Sequence, residues 1–222
     1  MKPLFFIAGA SGFIGSNIID YLEEQHQPYI TLSRHVVKKR QQCLGNYICD
    51  LKSFNYSKLS IFFESYKCIL INCVGAGIKP SEREWDECFQ TNVVIISNLF
   101  TSFADLGVHT ILNIGSSFEY GNAFGFSKEV SASLMVLPNS AYACTKAFAP
   151  LVLSNISSIY DITSFHFRPC VVFGKYEPSY RLYPSLLAAA SSNSDLSLTS
   201  GDQIRGFIEV RSLISLMFDY NF

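Results

Sequence analysis

The chain has 222 residues, 17 basic and 18 acidic, with a formal net charge of −1 and 49% hydrophobic residues. Its length suits one large domain, or one domain and part of a second, and a mean hydropathy of +0.22 excludes a disordered polyelectrolyte. Balanced charge excludes the basic footprint of a nucleic-acid binder and the polybasic patch of an anionic-membrane binder, so neither nucleic acid nor membrane is expected as a partner.

The first apolar run, Leu4–Ala8, reads as a strand, and Phe13 to about Glu24 as the helix after it. The residues from Met1 to Ile7 superficially suggest a signal peptide, but the run breaks into glycines without a credible cleavage site. No apolar run reaches the roughly 18 residues needed to span a bilayer. Strands are expected at Tyr29–Leu32, Tyr47–Cys49 and Ile69–Val74, then one long helix over Glu82–Leu106 and a strand at Thr110–Ile114. A helix from about Ser140 to Tyr160 precedes a strand at Thr163–Phe167. After Gly174 the regularity fades, with a helix at Tyr183–Ser191, a short strand at Leu196–Leu198 and a last helix at Arg211–Phe218. Strands alternating with helical segments predict βαβ units around a parallel sheet.

Seven cysteines (43, 49, 68, 73, 88, 144 and 170) form no CxxC pair and no Cys/His cluster at metal spacing, so no metal site is expected. Several lie in apolar strand-like runs, which fits free thiols in a reducing cytoplasm. The four histidines, 26, 35, 109 and 166, show no spacing that suggests a relay, and Trp85 reads as helix packing.

Gly9-Ala10-Ser11-Gly12-Phe13-Ile14-Gly15 lies where the first strand meets the first helix. A turn with glycines at these positions allows positive φ and brings backbone close to a pyrophosphate, while the helix N-terminus offers amides and a favourable dipole. The chain is therefore expected to bind a nicotinamide dinucleotide through Gly9, Ser11, Gly12, Phe13, Ile14 and Gly15. After the second strand comes Ser33-Arg34-His35, with no acid for an adenosine ribose. Arg34 suits a 2′-phosphate, favouring NADP over NAD, or is a solvated surface charge. Asp50, followed by Leu51, either accepts from the adenine amino group or caps the next turn.

Tyr142-Ala143-Cys144-Thr145-Lys146 puts a phenol and an ammonium one helical turn apart. Lys146 would favour the phenolate of Tyr142, so that the phenol exchanges a proton near neutral pH, and Ser116 would hydrogen-bond the reacting oxygen.

Together, GASGFIG (9–15), Asn72-Cys73-Val74-Gly75, Thr91-Asn92-Val93, GSSFEYG (115–121), YACTK (142–146), Phe167-Arg168-Pro169 and SGDQIRGFIEV (200–210) resemble the extended short-chain dehydrogenase/reductases, specifically the nucleotide-sugar epimerases, dehydratases and reductases. The resemblance implies a Rossmann-type doubly wound parallel sheet over 1–173 and a substrate-binding region over 174–222. It implies a catalytic Ser116, Tyr142 and Lys146, with Asn92 supporting the lysine at the cofactor. Ser117 and Arg205 are assigned to a nucleotide-sugar substrate, Arg205 at its diphosphate. A homodimer through the helix containing the Val93–Phe103 stripe is also implied.

Ser117-Phe118 stands where sugar dehydratases of that family carry an Asp-Glu pair, so elimination of water is not expected. The flavour of Thr31–His35 and GDQIRGFIEV resembles reductases making CDP-linked dideoxyhexoses such as abequose. Relative to that family the C-terminal lobe reads as incomplete. Two functions stand: an NAD(P)-dependent nucleotide-sugar reductase or epimerase, or a truncated, weakly active or inactive dinucleotide-binding remnant of that family.

Overall fold

The computed structural model describes residues 1–121, 132–133, 136–202 and 204–219; Gln203 of the SGDQIRGFIEV stretch and the three final residues lie outside them. Alternating burial drives the architecture. Along β1 (Lys2–Ala8), Leu4, Phe6 and Ala8 face one core, while Phe5 and Ile7 face another. A strand apolar on both sides must be covered on both sides, and helices do so here. α1 (Phe13–Glu24) supplies Ile18 and Leu22 to the second core.

β2 (Tyr29–Ser33), β3 (Cys43–Ile48), β4 (Tyr66–Asn72), β5 (Thr110–Ile114) and β6 (Thr163–Phe167) complete a parallel sheet of order β3-β2-β1-β4-β5-β6. This is a doubly wound, Rossmann-type α/β fold, as expected. The strand order reverses between β1 and β4, which pair in register from Lys2–Tyr66 to Ala8–Asn72.

β3 starts at Cys43, four residues ahead of the expected Tyr47. It is an edge strand whose Leu44 and Ile48 are exposed, so its residues lack the apolar signal of a buried strand. β4 stops at Asn72 because the Asn72 side chain turns back to accept the Val74 amide at 3.1 Å. A short 3-10 turn (Tyr56–Leu59) and α2 (Ser60–Phe63) precede β4.

The expected helix over 82–106 is divided. Glu82 belongs to a separate 3-10 turn, α3 spans Trp85–Phe89, a π-helical turn spans Gln90–Ile95, and α4 spans Ile96–Asp105. Leu99, Phe100 and Phe103 of α4 are fully buried against the sheet, with Leu153 and Ile156 of α5 (Ala141–Tyr160) beside them. Trp85 does not pack as expected and stands 58% exposed.

Beyond β6, the expected strand at Leu196–Leu198 is absent. The segment is exposed and pairs with no strand among the described residues. The strands found instead are β7 (Val171–Phe173) and β8 (Phe207–Glu209), paired in parallel, with α6 (Leu182–Ser192) between them. The last helix, α7 (Val210–Phe218), sends Leu213, Ile214 and Met217 into the core that α1 also covers. Among the described residues, no helix is long and apolar enough to cross a membrane.

Candidate active site

A cleft of about 690 Å³ opens at the C-terminal ends of the strands, where the strand order reverses. At its centre β1 passes into α1. Gly9 has φ +78°, and a Cβ there would come within 2.9 Å of the Cys73 carbonyl carbon. Gly12 is the N-cap of α1, and no side chain caps that helix. Its first-turn amides therefore face the cleft, whose wall includes Gly9, Ser11, Gly12, Phe13 and Ile14. Gly15 lies behind the wall: a Cβ there would overlap the Gly9 carbonyl oxygen, so this glycine allows helix and turn to pack closely.

The far arm of the cleft is lined by Arg34, His35, Asp50 and Leu51. Asp50 caps the following turn, accepting the Lys52 amide at 3.0 Å.

The other arm holds the three expected catalytic side chains on a shared wall. Ser116 follows β5 and caps a 3-10 turn, its hydroxyl accepting the Phe118 amide at 3.2 Å. α5 starts at a Ser140 cap that accepts the Ala143 amide at 3.2 Å, so Tyr142 falls in its first turn and Lys146 one turn later. Burial pushes the Tyr142 phenol up, while the Ser116 hydroxyl and the Arg83 charge pull it back. Burial also pulls the Lys146 ammonium down to about 8, and its Nζ donates to the Ile114 carbonyl at 2.7 Å.

Asn92 sits behind this wall, in the π-helical turn. Its Oδ1 accepts the Ala76 amide at 2.9 Å, and its Nδ2 donates to the Ala76 carbonyl at 3.1 Å and to Thr145 Oγ1 at 3.0 Å. It thus clamps the loop after β4 onto α5, beside Lys146 rather than on it. A Cβ on Gly75 would lie 3.3 Å from Lys146 Nζ, so the loop passes close to the ammonium.

Ser117 lines the cleft beside Ser116 and donates its amide to the Pro169 carbonyl at 3.0 Å. Arg205 is exposed outside the cleft wall, its guanidinium 5.9 Å from the Phe118 ring centre.

Two groups were not foreseen. Arg83 donates through Nε to the Gly77 carbonyl and lies 5.4 Å from the Tyr142 ring and 5.2 Å from Phe118. Nothing in Lys79-Pro80-Ser81-Glu82-Arg83 distinguishes it from a solvated charge. Glu119 is fully buried, accepting the Ser116 amide at 2.8 Å, Arg168 Nε at 2.6 Å and His166 Nε2 at 2.9 Å. A signal for it existed, since Ser116-Ser117-Phe118-Glu119 has capping-box spacing. The expectation that His166 has no relay partner is corrected, because its two ring nitrogens meet Glu119 and Asn113.

A model of the NAD dependent epimerase/dehydratase family matches residues 5–218. No curated protein sequence matches the chain. Among solved structures, MoeE5 in complex with UDP-glucuronic acid and NAD has a TM-score of 0.83 at 20% identity, over 96% of this chain and 70% of that one. UDP-glucuronic acid 4-epimerase from Bacillus cereus, in complex with UDP-glucuronic acid and NAD, gives 0.81 at 17%, over 98% and 74%. UDP-N-acetylglucosamine 4-epimerase from Methanobrevibacter ruminantium M1, in complex with UDP-N-acetylmuramic acid, gives 0.83 at 22%, over 100% and 75%. At these identities the likeness is one of fold.

Proposed function

This chain belongs to the NAD dependent epimerase/dehydratase family, and from that premise we propose that it binds a nicotinamide dinucleotide and exchanges hydride and proton at C4 of a nucleotide-linked hexose. The observation that carries the reading is one continuous cleft. The uncapped α1 amides stand at its centre and Ser116, Tyr142 and Lys146 share the wall of one arm. The residues fit the cofactor: the first turn of α1 has donors without acceptors, and Gly12 presents no Cβ to a pyrophosphate.

When bound, the nicotinamide supplies the hydride donor or acceptor. Tyr142 exchanges the proton of the sugar hydroxyl or ketone oxygen, and the Ser116 hydroxyl hydrogen-bonds that same oxygen. Lys146 has one donor fixed on the Ile114 carbonyl, and its charge favours the phenolate of Tyr142. The carboxylate nearest Ser116 in sequence, Glu119, is turned inward and fully buried. Reduction or epimerisation therefore suits this wall better than elimination of water.

The finer assignments rest on single features. Arg34, exposed at the cleft's far arm with no acid at the end of β2, favours NADP, although two of the similar structures named above carry NAD. Exposed Phe148 and Leu151 on α5 support a homodimer, and the unpaired cysteines suit a reducing cytoplasm.

The test is fluorescence titration with NADH and NADPH, then turnover of UDP-glucose, UDP-glucuronic acid and a CDP-4-keto-6-deoxyhexose by wild type and Tyr142→Phe. Binding with turnover lost in the phenylalanine variant supports the reading. Affinity for neither dinucleotide sinks it.

A further inference from the structure

Beneath Ser116 a line of buried polar side chains crosses the ends of three strands. It starts at the Val74 amide, which donates to Asn72 Oδ1 at 3.1 Å. That bond fixes the Asn72 amide orientation, so Nδ2 is left to donate to Asn113 Oδ1 at 2.7 Å. Asn113 must then present its own Nδ2 to His166 Nδ1, 2.8 Å away. A ring nitrogen that receives a donor carries no proton, so the His166 proton sits on Nε2 and points at Glu119, 2.9 Å away. Each bond in the line dictates the direction of the next.

Glu119 is where the line ends and the catalytic wall begins. Oε1 accepts the Ser116 amide and Oε2 accepts Arg168 Nε, while His166 Nε2 lies within reach of both, at 3.1 and 2.9 Å. Gly115 makes room for this junction, because a Cβ there would overlap Glu119 Oε1 and come within 2.5 Å of the imidazole. We propose that Glu119 is a positioning residue for the Ser116–Tyr142–Lys146 wall, kept as an anion by a one-way chain of hydrogen bonds that starts at the Val74 amide.

The charge matters as well as the contacts. Burial pushes the Glu119 carboxyl up, and the hydrogen bonds from His166, Arg168 and the Ser116 amide pull it back down. The charged and titratable groups around Tyr142 and Lys146 are Glu119, Arg83, Arg181 and Cys73. Of these, Glu119 raises the proton affinity of both the phenol and the ammonium. A neutral residue at 119 would lower both, so both limbs of a rate profile would move to lower pH.

The catalytic arm of the test rests on the function proposed above, and the spectroscopic arm does not. In ¹⁵N-labelled ligand-free wild type, a long-range ¹H–¹⁵N spectrum should show His166 Nδ1 as a bare acceptor and Nε2 as protonated, assigned by their loss in His166→Gln. A proton on Nδ1 overturns the proposal whatever the activity. In the rate arm, Glu119→Gln should lower kcat about tenfold and move the profile about one unit to lower pH, while Glu119→Asp keeps the wild-type position. A Gln profile at the wild-type position would overturn the proposal. If Gln fails to fold, an Asp profile displaced to lower pH does so. Wild type without turnover would count against the functional reading, and the His166 spectrum would still decide this one.

Discussion

Lys146 Nζ hydrogen-bonds the carbonyl of Ile114 at 2.7 Å, tying α5 to the last residue of β5. The tie holds the ammonium in a buried position at the cleft wall. Because burial lowers the ammonium from 10.5 to about 8, the charged form opposes folding. The unfolded chain binds this proton more tightly, so the penalty is fully present below about pH 8 and is relieved as pH rises towards 10.5. A shift of that size is worth about 3 kcal/mol, of which an unpaired Ile114 carbonyl would take back much. Lys146→Met should therefore abolish turnover yet stabilise the ligand-free protein at pH 7 by about 1 kcal/mol. Urea unfolding across pH 7–10.5 checks it, and the variant's advantage should shrink as pH rises.

Gly15 and Gly12 should fail in different ways. A Cβ at Gly15 meets the backbone of Gly9 and Ala10, and backbone yields poorly, so Gly15→Ala should cost about 2 kcal/mol of stability. At Gly12 a Cβ meets the Gly9 oxygen alone, at 3.2 Å, with φ −80° in the ordinary region. Gly12→Ala should unfold within about 0.5 kcal/mol of wild type while binding NADH roughly tenfold more weakly. Parallel denaturation and NADH titrations separate the two outcomes.

Asn92 makes three hydrogen bonds from a buried position. Asn92→Ala strands both polar groups of Ala76, so a loss of about 3 kcal/mol is expected, or a Tm lower by about 9 °C for a chain of this size. Differential scanning fluorimetry reads this directly. A fall of under 2 °C would mean that water replaces the clamp.

Arg34→Ala tests cofactor choice. If Arg34 meets a 2′-phosphate, NADPH affinity should drop about tenfold and NADH affinity should hold. The NADPH loss should also fade in high salt, since the side chain is exposed. An equal loss for both dinucleotides would reduce Arg34 to a general surface charge.

Much of the sheet was legible because period and burial agreed. β5 and β6 carry apolar residues between clear turn signals, and their bounds match the reading to the residue. The glycine turn and the Tyr142–Lys146 spacing were legible because each obeys a local rule. The features that escaped depend on tertiary partners. β7 and β8 are three residues each and become strands only by pairing with one another. The π-helical turn has no period to detect, since its extra residue is accommodated where Asn92 meets Ala76 and Thr145. Asn72, Asn113 and His166 stand on three strands, and nothing along the chain brings them together.

The pairing of β7 with β8 has an engineering consequence. The chain departs after Phe173 and returns at Phe207 through neighbouring strands, with Val171 opposite Phe207 and Phe173 opposite Glu209. What lies between is a detour whose two ends are joined by that strand pairing, and its first residues are also tied to α1 through Lys175, which pairs with Asp20. Pro178, Tyr180 and Arg181 line the cleft, so the natural cassette is the stretch beyond Arg181, α6 included, where segments of other lengths should be exchangeable while the sheet and the Ser116–Tyr142–Lys146 wall remain in place. Chimaeras cut after Arg181 and before Phe207 would change what borders the cleft without touching its wall.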